Sequence, residues 1–85
     1  MKNHEKLKKL THSLLEELGE DPDREGLLKT PSRVAKSWKY FSQGYDQDLG
    51  DTVNKAIFNE SSKDMVVVRD VEFFSLCEHH LLPFF

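Results

Sequence analysis

Leu7, Leu10, Leu14, Leu15 and Leu18 recur at intervals of three and four residues, which predicts one apolar stripe along a helix over residues 3–18. Asn3 can cap its start, and Gly19 follows as a stop. The next stretch, Glu20-Asp21-Pro22-Asp23-Arg24-Glu25-Gly26, begins as a turn. Asp21 can cap and Pro22 suits a first helical position, so a short helical segment is expected to run to about Leu28. Thr30-Pro31 repeats that signal and opens a second main helix, 31–43, with Thr30 as N-cap and Gly44 as its stop. Val34, Trp38 and Phe41 are spaced to share its buried face, with Ala35 nearby.

Residues 44–63 lose this periodicity. They read as a loop in which Ala56-Ile57-Phe58 is the one apolar island, with room for a brief strand. Over 64–76 the composition turns to Val66, Val67, Val68, Val71, Phe73 and Phe74, which predicts a strand. Helices followed by a strand give an α+β fold class. Leu81-Leu82-Pro83-Phe84-Phe85 then close the sequence without a polar residue. One strand makes no stable sheet, so the pattern reads as a polypeptide cut in mid-fold. The alternative is a small protein whose tail packs on the helices.

At 85 residues the chain allows one domain, spanning 1–85. A chain of this size buries only about 60% of the surface its unfolded form exposes, so its core needs support. Disulfides within the chain cannot give it, because Cys77 is the sole cysteine. That points to a reducing compartment, a buried thiol or a metal ligand. The expected setting is cytoplasmic, since no apolar run is long enough for a membrane span and the N-terminus does not read as a secretory signal. Twelve basic and fifteen acidic residues are interspersed, for a net charge of −3. The Lys6, Lys8 and Lys9 cluster lies among Glu5, Glu16, Glu17 and Glu20, which reads as a solvated helix face and not as a nucleic-acid-binding stripe.

The chemistry concentrates in Cys77-Glu78-His79-His80, directly after the expected strand. On one helical turn or a tight loop, Cys77 and His80 fall on the same side. A thiolate and an imidazole are donors that Zn2+ prefers, but a catalytic zinc takes three protein ligands, and the third must come from elsewhere. His4 and His12 on the first helix are weak candidates, and His79 points differently from His80 if the backbone is extended. The other reading of the same residues is a buried thiol with satisfied histidines. A thiol nucleophile with a histidine base is a further one. His79 is suited to proton transfer near neutral pH. Glu78 either orients a histidine or faces solvent.

Two long blocks carry a family resemblance. Residues 68–84, Val68-Arg69-Asp70-Val71-Glu72-Phe73-Phe74-Ser75-Leu76-Cys77-Glu78-His79-His80-Leu81-Leu82-Pro83-Phe84, resemble the segment around the first zinc ligands of GTP cyclohydrolase I. Residues 19–35, from Gly19-Glu20-Asp21-Pro22 to Ser32-Arg33-Val34-Ala35, match a second block of that family, in the same order and at a similar separation. The resemblance implies that Cys77 and His80 are two of three zinc ligands and that His79 is a catalytic histidine that moves protons. The third ligand, a cysteine, and the residues that hold guanine and triphosphate would lie beyond Phe85. It implies Zn2+ as cofactor, GTP as substrate, and formate and 7,8-dihydroneopterin triphosphate as products, the first step of tetrahydrofolate and pteridine biosynthesis. It also implies the tunnelling fold, incomplete here, and a homo-oligomer, a decamer in the family. The 85 residues alone are expected to be inactive. The alternative function is a truncated, non-catalytic module that binds full-length subunits.

Overall fold

The computed structural model describes residues 3–53 and 56–85. Helix α1 spans His4–Glu17 and helix α2 spans Thr30–Phe41. The remaining regular elements are a five-residue helix, α3 (Leu49–Val53), and a hairpin of strands β1 (Ser75–Leu76) and β2 (Pro83–Phe84). Single 3-10 turns occupy Glu25–Leu27 and Gln43–Asp46.

Local chemistry sets both ends of α1. The Asn3 side chain accepts a hydrogen bond from the Lys6 amide at 3.0 Å, as a cap does. At the far end Gly19 takes a φ of +89°. Its amide donates to the Glu16 carbonyl at 3.0 Å, and the Glu20 amide reaches the Leu15 carbonyl at 2.9 Å. This is a Schellman closure, in which a glycine takes the left-handed position without a Cβ penalty. The following turn is fixed by Asp21, whose carboxylate accepts from the Asp23 amide at 3.0 Å. Helical structure resumes at Glu25 and not at Pro22, which is buried.

Helix α2 begins one residue earlier than its sequence signal suggests. Thr30 lies inside the helix, Lys29 holds the cap position without a side-chain cap bond, and Pro31 sits in the first turn. Proline remains tolerated there because first-turn amides have no intrahelical acceptor. The helix closes at Phe41, where the Ser42 amide donates to the Trp38 carbonyl at 3.1 Å, and a 3-10 turn takes up the rest of the expected span.

The two helices pack through a small contact. Ala35 is fully buried, and Pro31 beside it is buried too. Thr11 is the buried residue of α1, with its hydroxyl donating to the Leu7 carbonyl at 2.8 Å. Leu7 and Leu15 are half-buried, and so are Val34, Trp38 and Phe41 on α2. Leu10, Leu14 and Leu18 remain 66%, 57% and 69% exposed. The leucine stripe is therefore split: its Leu7 and Leu15 edge faces α2, and its other edge is uncovered. The helix contact centres on small residues, which let two backbones approach closely.

Residues 44–63 hold more helix than their composition indicates. The Asp48 carboxylate accepts from the Asp51 amide at 3.2 Å and starts α3. Ala56-Ile57-Phe58 form no strand. Of the strand expected over 64–76, only Ser75–Leu76 is paired, antiparallel to Pro83–Phe84, with Ser75 opposite Phe84 and Leu76 opposite Pro83. Val66, Val67 and Val68 lie in non-regular chain and are exposed. A ladder needs a neighbouring backbone as well as β-branched side chains, and the described residues offer one only at 83–84. The radius of gyration, 18.9 Å, exceeds the roughly 12 Å of a compact domain of this length.

Aromatic rings join the hairpin to the helices. The Phe74 ring lies 5.1 Å from Tyr40 and 5.5 Å from Phe41, between centroids. Phe85 closes on the other side of Phe74 at 5.9 Å. Tilted and edge-on rings at these separations attract one another. They hold the start of β1 against the end of α2, and so place the turn that follows.

Candidate metal centre

Residues 77–82 form the end of the β1–β2 hairpin. The Cys77 amide donates to the Leu82 carbonyl at 2.9 Å, and the Leu81 amide returns to the Cys77 carbonyl at 2.8 Å. The second bond closes one helical turn over Glu78, His79 and His80. Pro83 fits this ladder without a lost bond. Cys77 and Leu82 are a hydrogen-bonded pair, so the next pair, Leu76 and Pro83, points its amide positions away from the partner strand.

The turn brings the sequence-predicted residues to one place. Cys77 is a half-buried free thiol, and Glu78, His79 and His80 are exposed. The Cys77 sulfur lies 3.8 Å from Nδ1 of His79. The His80 ring sits 6.2 Å from that of His79, between centroids, tilted by 38°. The sequence pairs Cys77 with His80, whereas the structure sets His79 beside the sulfur. Both imidazoles extend from the same short turn, and His79 is the one beside the thiol. Glu78 makes no hydrogen bond or ion pair among the described residues.

The donor set suits zinc. A sulfur and an imidazole nitrogen that share a tetrahedral zinc ion stand about 3.5 Å apart, given bond lengths of about 2.3 and 2.0 Å. The observed 3.8 Å, which is between Cys77 and His79 and not the sequence-assigned His80, is close to that value. No group of three or more His, Cys, Asp or Glu side chains able to hold a metal ion occurs among the described residues.

The other histidines lie elsewhere. His12 bridges α1 to the following turn, with Nδ1 at 3.0 Å from the Glu16 carboxylate and Nε2 at 3.9 Å from that of Asp23. Nε2 of His4 meets the Ser32 hydroxyl at 3.5 Å. The His4 contact joins α1 to α2, and the His12 contacts join α1 to the turn after it. A hollow of about 570 Å³ lined by Lys8, Lys9 and His12 also lies on that side of the molecule, away from Cys77.

Sequence reasoning missed two features of the turn. Leu81 takes a φ of +56°, a left-handed conformation that nothing in its chemistry announces. The anchoring role of Phe74 and Phe85 was hidden because both residues read simply as apolar strand or tail.

A thiol and two imidazoles on a hairpin turn, carried by an α+β chain, define a candidate thiolate–imidazole metal centre. Residues 7–85 match the family model of GTP cyclohydrolase I, and the chain belongs to that family. It is 56% identical over 85 residues to the GTP cyclohydrolase 1 of Dictyostelium discoideum, covering 96% of this chain and 37% of that protein. The GTP cyclohydrolase 1 of Deinococcus radiodurans is 51% identical over 83 residues, with 98% and 38% covered. That of Campylobacter lari is 54% identical over 81 residues, with 95% and 43% covered. The chain thus spans about two fifths of the length of these relatives.

Proposed function

We propose that this chain is part of an enzyme that hydrolyses GTP to formate and 7,8-dihydroneopterin triphosphate with zinc as cofactor. The observation that carries the reading is the hairpin turn. It gathers Cys77, His79 and His80 within one short turn, with the Cys77 sulfur 3.8 Å from His79, in a chain more than half identical to proteins named GTP cyclohydrolase 1.

Cys77 and His80 hold the metal in this reading. They are three apart on one helical turn, which supports their sharing a side. Zinc bound there supplies Lewis acidity, enough to ionise water near neutral pH. Water adds at C8 of the purine, the imidazole ring of the base opens to a formamide, and a second water cleaves that formamide to release formate. The ribose then rearranges and closes the new ring. His79 is exposed and adjoins the ligand pair, so it is placed to protonate the ring nitrogen as the bond breaks. Half-burial of Cys77 keeps the sulfur partly out of water while leaving the histidines reachable by substrate.

The same reading places the chain in a homo-oligomer of the tunnelling fold, a decamer in the complete enzyme. Its support is the apolar surface left open: Leu10, Leu14 and Leu18 on α1, and the run from Met65 to Val68. Further strands would pair with that run and cover it. Among the described residues no helix is long and apolar enough to cross a membrane; the reading takes the protein as cytoplasmic, with a small molecule and not nucleic acid as its partner.

The test is formate release from GTP by the complete protein, with zinc measured in parallel. Cys77→Ser is expected to lose both the metal and the activity. Full zinc occupancy in Cys77→Ser would refute the ligand assignment. A complete protein that releases no formate but co-elutes with active full-length subunits would establish the non-catalytic module instead.

A further inference from the structure

The turn that carries Cys77, His79 and His80 depends on a residue outside the motif. After the helical turn over 78–80, the chain must reverse so that Leu82 meets Cys77. It does so at a single position, Leu81, with φ at +56°. The Leu81 amide then bonds the Cys77 carbonyl at 2.8 Å, and the Leu82 carbonyl accepts from the Cys77 amide at 2.9 Å. This is the hydrogen bond and the left-handed residue that end a helix in an αL cap, here used to close a hairpin. Leucine disfavours that conformation, because its Cβ crowds the neighbouring carbonyl. The side chain does not hold it there, since it is 64% exposed. The conformation is imposed by the two backbone bonds at Cys77 and by the β1–β2 ladder beyond them.

We propose that Leu81 is the positioning residue of the metal turn: its left-handed backbone, and not its side chain, keeps the Cys77 sulfur and the two imidazoles on one side of the hairpin end. It touches neither metal nor substrate. The proposal rests on the reading of Cys77 and His80 as zinc ligands. A backbone that relaxed to the right-handed region would carry the chain onward as helix. The Leu82 carbonyl would then leave Cys77, and the sulfur would turn with the released strand. Asparagine and glycine tolerate the left-handed region, whereas a β-branched residue does not.

The experiment compares the complete parent protein with Leu81→Asn, Leu81→Gly and Leu81→Val. Co2+ is the probe, followed by its visible absorption and its thiolate charge-transfer band. Amide hydrogen exchange at Cys77 and Leu81 is measured on the metal-free proteins. Leu81→Asn and Leu81→Gly are expected to bind Co2+ within about threefold of the parent, whereas Leu81→Val binds at least about tenfold more weakly, the size of loss typical of groups that orient ligands. The Cys77 and Leu81 amides exchange faster in Leu81→Val alone, with the helical circular dichroism unchanged. Co2+ binding by Leu81→Val equal to the parent overturns the proposal. Loss of Co2+ in Leu81→Asn does so too, because that variant removes the leucine side chain and keeps the backbone; this arm stands even if the valine protein does not fold. A parent whose charge-transfer band is untouched by Cys77→Ser refutes the ligand reading, and the exchange data then decide the role of Leu81 independently.

Discussion

The ring of Phe74 lies 5.5 Å from that of Phe41, and this contact, with the neighbouring one to Tyr40, couples the Cys77 hairpin to the helix pair. β1 and β2 are two residues long each, too short to hold a position alone. Their placement is borrowed from α2 through aromatic packing.

Phe74→Ala removes three ring contacts at once, to Tyr40, Phe41 and Phe85. Each such pair contributes roughly 0.5–1.5 kcal/mol beyond its buried area. The hairpin is expected to detach while α1 and α2 persist. Limited proteolysis should cut more rapidly between residues 72 and 82, with little change in helical circular dichroism. Unaltered cleavage there would remove Phe74 from its anchoring role.

Ala35→Leu tests the helix contact. Ala35 has no exposed surface, so added methylenes must push α1 away. Overpacking of this kind costs about 1–3 kcal/mol. A lower thermal midpoint of the helical signal is expected. The same change at Ser37, which is exposed, should leave the midpoint nearly constant.

Gly19→Ala tests the Schellman closure of α1. At a φ of +89° an alanine is strained even though nothing crowds the Cβ position. A loss of about 1 kcal/mol is expected, because the left-handed region penalises any Cβ. Thermal unfolding measures it. A midpoint equal to the parent would mean that the Gly19–Glu16 and Glu20–Leu15 bonds do not control where α1 ends.

His79→Ala separates proton transfer from metal binding in the complete protein. Zinc content should be retained, and formate release should fall by about 10²- to 10⁴-fold, the usual contribution of a positioned acid or base. Zinc loss in this variant would instead make His79, which lies 3.8 Å from the Cys77 sulfur, a metal ligand.

The local parts of this protein were legible in its sequence. Asn3, Gly19 and Pro31 mark helix ends because caps and φ preferences act over a few residues. The clustering of Cys77, His79 and His80 was legible for the same reason: a thiol and two imidazoles within four residues must share any tight turn. What the tertiary structure alone decided involves distant chain. The packing of α2 on α1, with Ala35 and Thr11 buried, decided which edge of the leucine stripe on α1 is covered. Pro83–Phe84 confined pairing to Ser75–Leu76, since β-propensity at Val66 to Val68 makes no ladder without a neighbouring backbone. The same hairpin forced Leu81 into a conformation its own chemistry disfavours, because the two hydrogen bonds at Cys77 require a left-handed residue wherever the chain turns back.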